Sequence, residues 1–142
     1  MYDLSRFVEG YRVSFETARA ELMAGLKQSH WMWYIFPQLK GLGRSETSEY
    51  YGLVDVDEAK AFIDNEYLGA KIIELFKIVN KMPDYDYVLN CFGPVDILKL
   101  RSCATLFLVA TNYRVFRKTI YKFFNGKKDK KTLKLLYFSK KS

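Results

Sequence analysis

Apolar residues recur at steps of three and four along the first 27 residues, and this spacing constrains the fold more than any other feature. The apolar positions between Asp3 and Lys27 are Leu4, Phe7, Val8, Tyr11, Phe15, Ala18, Leu22 and Leu26. That is the period of one face of an α-helix. No segment of the chain sustains the alternation of a half-buried strand. The sequence therefore predicts an all-α fold with no sheet.

Helix start and stop signals divide the rest of the chain into further helices. Side chains suited to capping precede four apolar runs, at Ser45, Asp55, Asp84 and Asp129. Gly93-Pro94 is expected to end one helix and begin the next, with proline at its first position. The segment that follows is apolar nearly all round, which is typical of a central buried helix. We predict a compact single domain over residues 1–142, with about seven helices.

Length and composition exclude several classes of protein. The 142 residues are 49% hydrophobic and 27% charged, enough for one core and too few for two ordinary domains. One histidine and two cysteines cannot supply the ligands of a zinc site without carboxylates. We therefore expect neither a metal nor another cofactor. Cys91 and Cys103 lie in apolar segments and are predicted to be reduced core thiols.

The sequence also gives an expectation for location. Charged residues begin at Asp3, where a signal peptide would need an apolar stretch. The longest uncharged apolar run, 103–113, is far shorter than a bilayer span. We expect a cytoplasmic protein with no membrane partner. The sequence contains nothing that fixes its oligomeric state.

The net charge of +7 is concentrated at one end of the chain. Residues 117–142 carry ten basic side chains against Asp129 alone, whereas residues 1–116 carry slightly more acids than bases. The lysine-rich C-terminal end, about 127–142, is expected to be a solvated helix and tail. Lysine runs bind nucleic acid weakly and without sequence preference, so we expect no nucleic-acid partner beyond weak binding through these lysines.

An unusually aromatic motif occupies residues 27–45. It reads KQSHWMWYIFPQLKGLGRS, with five rings, counting His30, in the eight residues before Pro37. A second motif, residues 92–107, contains Asp96 and the run Lys99-Leu100-Arg101-Ser102. With Tyr51, Glu58-Ala59 and Leu68-Gly69, these motifs resemble the DUF1810 family, a bacterial domain of unknown function, over nearly the whole chain.

The resemblance implies a compact and mainly helical fold, and it implies no established activity. This chain departs from the family pattern at Glu9-Gly10, where the first helix usually has Ala-Gln, and at Cys103-Ala104, where Ser-Met is usual. The lysine-rich end is a third departure. None of these three departures lies within the aromatic motif.

The two motifs hold the side chains that proteins use to bind phosphate. Arginine forks, lysines, hydroxyls, glycine loops and helix N-termini all favour a phosphate anion. The predicted ligand-binding residues are Lys27, Ser29, Trp31, Trp33, Gln38, Gly43, Arg44, Ser45, Lys99, Arg101 and Ser102. The tryptophans would supply a flat surface for a base. A phosphorylated, nucleotide-like small molecule of the ADP-ribose or NAD type is the predicted ligand.

Three further residues are candidates for acid–base chemistry. His30 is a candidate because histidine is the side chain best suited to exchange protons near neutral pH, and Asp96 or Glu58 would be its carboxylate partner or would activate water. If the protein is an enzyme, hydrolysis or cleavage of a glycosidic bond suits these side chains best.

Each of these residues also has a structural interpretation. His30 would be hydrogen-bonded to backbone, the tryptophans would be core, and Lys99 and Arg101 would form internal ion pairs with Asp96 or Glu58. On that interpretation the protein is a non-catalytic interaction module. The interaction module predicts a large exposed apolar patch that includes Trp31 or Trp33, and no closed pocket.

Overall fold

The structure is a computed structural model that describes residues 2–141, with side chains described as far as Phe138. Its helices are α1 (Ser5–Ala24), α2 (Met32–Ile35), α3 (Glu46–Tyr51), α4 (Val56–Asp64), α5 (Glu66–Asn80), α6 (Tyr85–Thr111), α7 (Arg114–Phe124) and α8 (Lys130–Lys141). Within residues 2–141 there is no strand, only an isolated parallel bridge between Leu39 and Leu53. The all-α prediction is confirmed, and the short helix α2 brings the number of helices to eight in this range.

The expected caps account for several helix starts. Each of four side chains accepts a hydrogen bond from the backbone N–H three residues ahead, which satisfies a group that the helix leaves free. These are Ser45, Asp55, Asp84 and Asp129. Asn65 caps α5 in the same way, through Leu68 N at 3.0 Å.

Helix α6 is broken where the Gly93-Pro94 pair predicts a boundary. Gly93 has φ 87° and ψ 165°, a conformation outside the helical region that residues with a side chain rarely adopt. Helix α6 is therefore two segments, 85–92 and 94–111. Pro94 begins the second segment, and Asp96 lies in its first turn, where a carboxylate faces the positive end of the helix dipole.

The second segment of α6 passes through the middle of the core. Helices α4 and α7 pack against α6, and α1 packs against α2 and α5. A row of buried aromatic rings, with centroids 5.0 to 6.0 Å apart, connects these layers. In order, the rings are Trp31, Phe36, Phe76, Phe116, Phe107 and Phe62. Trp31 and Phe36 of the aromatic motif are therefore part of the core.

Both cysteines are buried and free. Burial raises the pKa of the Cys91 thiol and raises that of Cys103 well above its usual value. The thiolate is the reactive form of cysteine, so neither residue is suited to act as a nucleophile. Among the helices of residues 2–141, none combines the length and apolar character needed to cross a bilayer.

Candidate functional site

Two lysines share one carboxylate where the motifs meet. Lys27 Nζ lies 2.9 Å from Asp96 Oδ2, and Lys99 Nζ lies 3.2 Å from Asp96 Oδ1. Lys27 also donates to the Ser29 carbonyl oxygen at 2.6 Å, and only 8% of its side chain is exposed. Its backbone N–H donates to the Cys91 carbonyl oxygen at 2.8 Å, just before the break in α6. We call Lys27, Asp96 and Lys99 the lysine–aspartate cluster.

Each lysine of the cluster also lies over a tryptophan ring. Lys27 Nζ is 4.8 Å from the ring centroid of Trp31, and Lys99 Nζ is 4.0 Å from that of Trp33. Trp31 is 1% exposed and belongs to the core, as its structural interpretation predicts. Trp33 is partly exposed. Residues 27–45 and 92–107 therefore come together, which their spacing in the sequence could not establish.

Helix α2 is anchored on one side, so Trp31, just before it, and Trp33, within it, point in different directions. Met32 and Ile35 are buried, and Tyr11 Oη donates to the Ile35 carbonyl oxygen at 2.5 Å. The hydroxyls of Ser14 and Tyr34 lie 2.8 Å apart. These contacts fix α2 against α1 and leave Trp33 at the protein surface.

Glu21, which is not among the predicted site residues, holds the segment that leads into the aromatic motif. Its carboxylate accepts hydrogen bonds from the backbone N–H groups of Gln28 (2.9 Å) and Ser29 (3.0 Å), from Ser29 Oγ (2.5 Å) and from Trp31 Nε1 (3.0 Å). These four hydrogen bonds lower the pKa of Glu21 to about 2, against the opposing effect of desolvation. No local pattern marks Glu21, because its partners come within reach only after the chain reverses at Gly25.

We expect Glu21→Gln to make the protein less sensitive to acid. Because the carboxyl has a lower pKa in the folded chain, its contribution is complete above its unfolded value near 4.5 and is lost as the pH falls towards 2. That contribution is on the order of 2 kcal/mol for a partly exposed group. Chemical unfolding between pH 2 and 7 measures it. Glu16→Gln, at an exposed position on the same helix, is the control and keeps the wild-type pH dependence.

A narrow cleft lies beside Trp33 and is formed by the second half of the aromatic motif. Its lining includes Trp33, Gln38, Gly43 and Ser48, and its volume of about 10 Å³ is close to what one water molecule needs. A Cβ at Gly43 would lie 2.7 Å from Ser48 Oγ, so glycine is required for this close approach. Within the described residues, Arg44 is exposed and makes no hydrogen bond or ion pair. Trp33 thus lies between Lys99 and the loop that carries Arg44.

Other predicted site residues are engaged in the fold. Glu58 forms an ion pair with Arg6 at 3.4 Å and accepts a hydrogen bond from Val54 N at 2.8 Å. Arg101 donates to the carbonyl oxygen of Lys127 at 2.9 Å. These contacts give both charged side chains a structural role.

The predicted hydroxyl residues form hydrogen bonds within the fold, and His30 lies at the surface. Ser29 donates to Glu21, Ser45 caps α3, and the buried Ser102 donates to the Leu98 carbonyl oxygen at 3.1 Å. His30 is exposed, and no hydrogen bond to a carboxylate is present at this histidine in the described part of the chain. The pairing of His30 with Asp96 or Glu58 is not seen.

A family model and a solved structure each match nearly the whole chain. The family model described as a protein of unknown function, DUF1810, matches residues 1–136. The crystal structure of the conserved hypothetical protein Rv1873 from Mycobacterium tuberculosis is 37% identical in sequence and superposes with a TM-score of 0.91. That match covers 96% of this chain and 97% of the other. No curated protein matches the sequence.

Proposed function

This chain belongs to the DUF1810 family of proteins of unknown function, and on that premise we propose that it binds a phosphorylated molecule with a flat ring, such as a nucleotide, at Trp33. The residues that would form the site are Trp33, Gln38, Gly43, Arg44 and Lys99, which we call the Trp33 surface. The observation that carries the proposal is the position of Lys99, whose ammonium group lies 4.0 Å from the centroid of a partly exposed tryptophan ring.

The charge of the lysine–aspartate cluster favours an added anion. Two ammonium groups share a single carboxylate, so the cluster has an excess positive charge. Lys27 is already surrounded by Asp96, the Ser29 carbonyl oxygen and the Trp31 ring. Lys99 has fewer partners and is more exposed. A phosphate group would complete the coordination of Lys99 and would also gain from the nearby start of the helical segment 94–111.

Lys99 would move off the Trp33 ring when the ligand binds, so that the ring of the ligand can stack there. Lys99 now covers the Trp33 ring through a cation–π contact, worth about 0.5–1 kcal/mol at an exposed site. A hydrogen bond between charged groups contributes about 1.5–3 kcal/mol. We therefore expect a phosphate to draw the ammonium group off the ring and leave the ring free to stack on a base. Arg44, which is exposed, would bind the phosphate from the opposite loop.

The arrangement favours binding over hydrolysis. Both oxygens of Asp96 are held by ammonium groups, and Glu58 is held by Arg6 and Val54. A carboxylate whose oxygens are occupied is poorly placed to take a proton from water. We propose a binding protein for a nucleotide-like molecule, with ADP-ribose and NAD as the first candidates.

Thermal unfolding in the presence of AMP, ADP, ADP-ribose, NAD and inorganic phosphate tests this proposal. A ligand present at 100 times its dissociation constant adds about 2.7 kcal/mol of stability, which raises the unfolding temperature of a domain of this size by several degrees. We expect a nucleotide to do so and inorganic phosphate to have a smaller effect. Arg44→Ala and Lys99→Met should each reduce the shift, measured against the variant's own unfolding temperature.

Arg12→Ala is the matched control for the arginine variant. Arg12 is exposed on α1 and pairs only with Glu9, so its removal should leave the ligand-induced shift unchanged. An equal shift in all three variants would place the ligand elsewhere. The absence of a shift with every compound would contradict the proposal.

The interaction module is the second candidate, because exposed apolar side chains adjoin the lysine–aspartate cluster. Leu26, Val95 and Leu98 are each half or more exposed, and each is next in sequence to one of the three clustered residues. A contiguous patch of exposed apolar side chains is typical of a protein-binding surface. This candidate predicts no shift with any nucleotide.

A further inference from the structure

The outer face of α7 is basic along its whole length. The helix carries Arg114, Arg117, Lys118 and Lys122 and contains no acidic residue. Its other face, with Phe116, Ile120, Phe123 and Phe124, is buried in the core. The charge that the sequence places near the C-terminus therefore begins on a helix that is packed into the fold, ahead of the lysine-rich end.

A groove runs along the α5 side of this helix. Its lining includes Lys77 and Lys81 from the end of α5 and Arg114 and Lys118 from α7, and its volume is about 400 Å³. Asn80 holds the two helices together at its base, because its side chain donates to the Val115 carbonyl oxygen (3.0 Å) and accepts from Thr119 Oγ1 (2.7 Å). The groove is therefore a fixed feature of the α5–α7 packing.

A second groove lies on the α6 side of the same helix. Its volume is about 260 Å³, and its lining includes Arg117, Tyr121 and Lys128. Tyr121 is 66% exposed and lies on the outer face of α7. From Arg114 to Tyr121 the helix rises about 10 Å. Cations thus line separate grooves on both sides of one helix.

These cations have few partners within the protein. Among the described residues, the side chains of Lys77, Lys81, Arg114 and Lys118 form no ion pair or hydrogen bond. Arg117 donates to Asn112 Oδ1, an uncharged group. Lys122 has a structural role, because it donates to the Asn80 carbonyl oxygen at 2.7 Å and caps the end of α5. We therefore leave Lys122 out of the surface and call Lys77, Lys81, Arg114, Arg117 and Lys118 the α7 basic surface.

We propose that the α7 basic surface, with Tyr121, binds the phosphate backbone of a single-stranded nucleic acid without sequence preference. An extended polyanion lying across α7 would contact the cations of both grooves at once. Cationic grooves with an exposed aromatic ring for base stacking are typical of single-strand binding. An anionic membrane is the less suitable partner, because the apolar face of α7 is buried in the core and has nothing to insert. This surface is independent of the proposed site at Trp33.

Fluorescence anisotropy with a labelled 20-nucleotide oligothymidylate tests the proposal. Binding is measured from 50 to 200 mM KCl for the wild type, for Arg114→Gln/Lys118→Gln and for the control Lys130→Gln/Lys134→Gln. Each double variant removes two exposed positive charges, and the control pair lies on α8. For single strands, each phosphate that a cation neutralises adds about 0.7 to the steepness of log affinity against log salt concentration, so the α7 variant should lower this slope by about 1.4.

The expected result is at least a tenfold weaker affinity in the α7 variant at 50 mM KCl, with a smaller change in the α8 variant. Equal reductions of affinity in both variants would mean that only net charge matters and would overturn the proposal. It would also be overturned if the wild type does not bind the oligonucleotide, or if inorganic tripolyphosphate displaces it at equal phosphate concentration. Stronger binding to vesicles containing phosphatidylserine would favour a membrane instead. Unfolding temperatures of both variants confirm that they fold.

Discussion

Replacing Asp96 with asparagine should lower the free energy of unfolding by about 3 kcal/mol. The reason is the charge that remains, because removing one partner of a buried ion pair leaves an uncompensated charge. Lys27 is 8% exposed, and its carboxylate partner lies 2.9 Å away. Lys99 loses the same partner, although it is less buried. Urea unfolding at pH 7 measures the difference.

The control for this variant is Asp86→Asn. Asp86 is also an acid in the first turn of a helical segment, but it is exposed and forms no ion pair in the described residues. Its substitution should cost no more than a favourable interaction with the helix dipole, about 0.3–1 kcal/mol. Adding Lys27→Met to Asp96→Asn should recover part of the stability, because no buried charge then remains at Lys27. Equal effects at Asp86 and Asp96 would contradict a structural role for the lysine–aspartate cluster.

Replacing each tryptophan of the aromatic motif with alanine should have a large effect on stability at Trp31 and a small one at Trp33. Trp31→Ala removes a fully buried ring and should cost about 3–5 kcal/mol of stability. It also removes one of the four hydrogen bonds to Glu21. Trp33 is partly exposed, so Trp33→Ala should leave a cooperatively folded protein. Calorimetry of the two variants makes this comparison.

Nucleotide binding, in contrast to stability, should depend strongly on Trp33. A base stacked on an aromatic ring contributes about 1–3 kcal/mol, so Trp33→Ala should weaken nucleotide binding by roughly one to two orders of magnitude. Trp33→Phe keeps a stacking face and should retain most of the affinity. If the alanine variant binds as tightly as the wild type, Trp33 is not part of the site.

The helices could be predicted because local interactions set their boundaries. Ser45, Asp55 and Asp84 cap backbone groups only three residues away, and the Gly93-Pro94 boundary follows from the conformations that those two residues adopt. No capping residue or boundary signal in the sequence predicts helix α2. It is four residues long and is held by contacts with α1, such as that from Tyr11 to Ile35, which sequence spacing does not reveal.

The partners of the charged residues depended on distant parts of the chain. The sequence left Lys99 and Arg101 with the same two alternatives, an internal pair or a phosphate. The structure pairs Lys99 with Asp96, whereas Arg101 binds the carbonyl oxygen of Lys127, 26 residues away. The two side chains are two positions apart on one helix and so point in different directions. Which loop each one faces is decided by the packing of the whole domain.

Fluorescence of the Trp31→Phe variant tests the proposed site most directly. The chain has two tryptophans, so this variant reports on Trp33 alone, and excitation at 295 nm limits absorption by the nucleotide. Titration with ADP-ribose and NAD should quench the emission to saturation, and Arg44→Ala in the same background should raise the ligand concentration required. The reciprocal variant, Trp33→Phe, reports on buried Trp31 and should change little. Emission from Trp33 that stays constant across the titrations would contradict nucleotide binding at this surface.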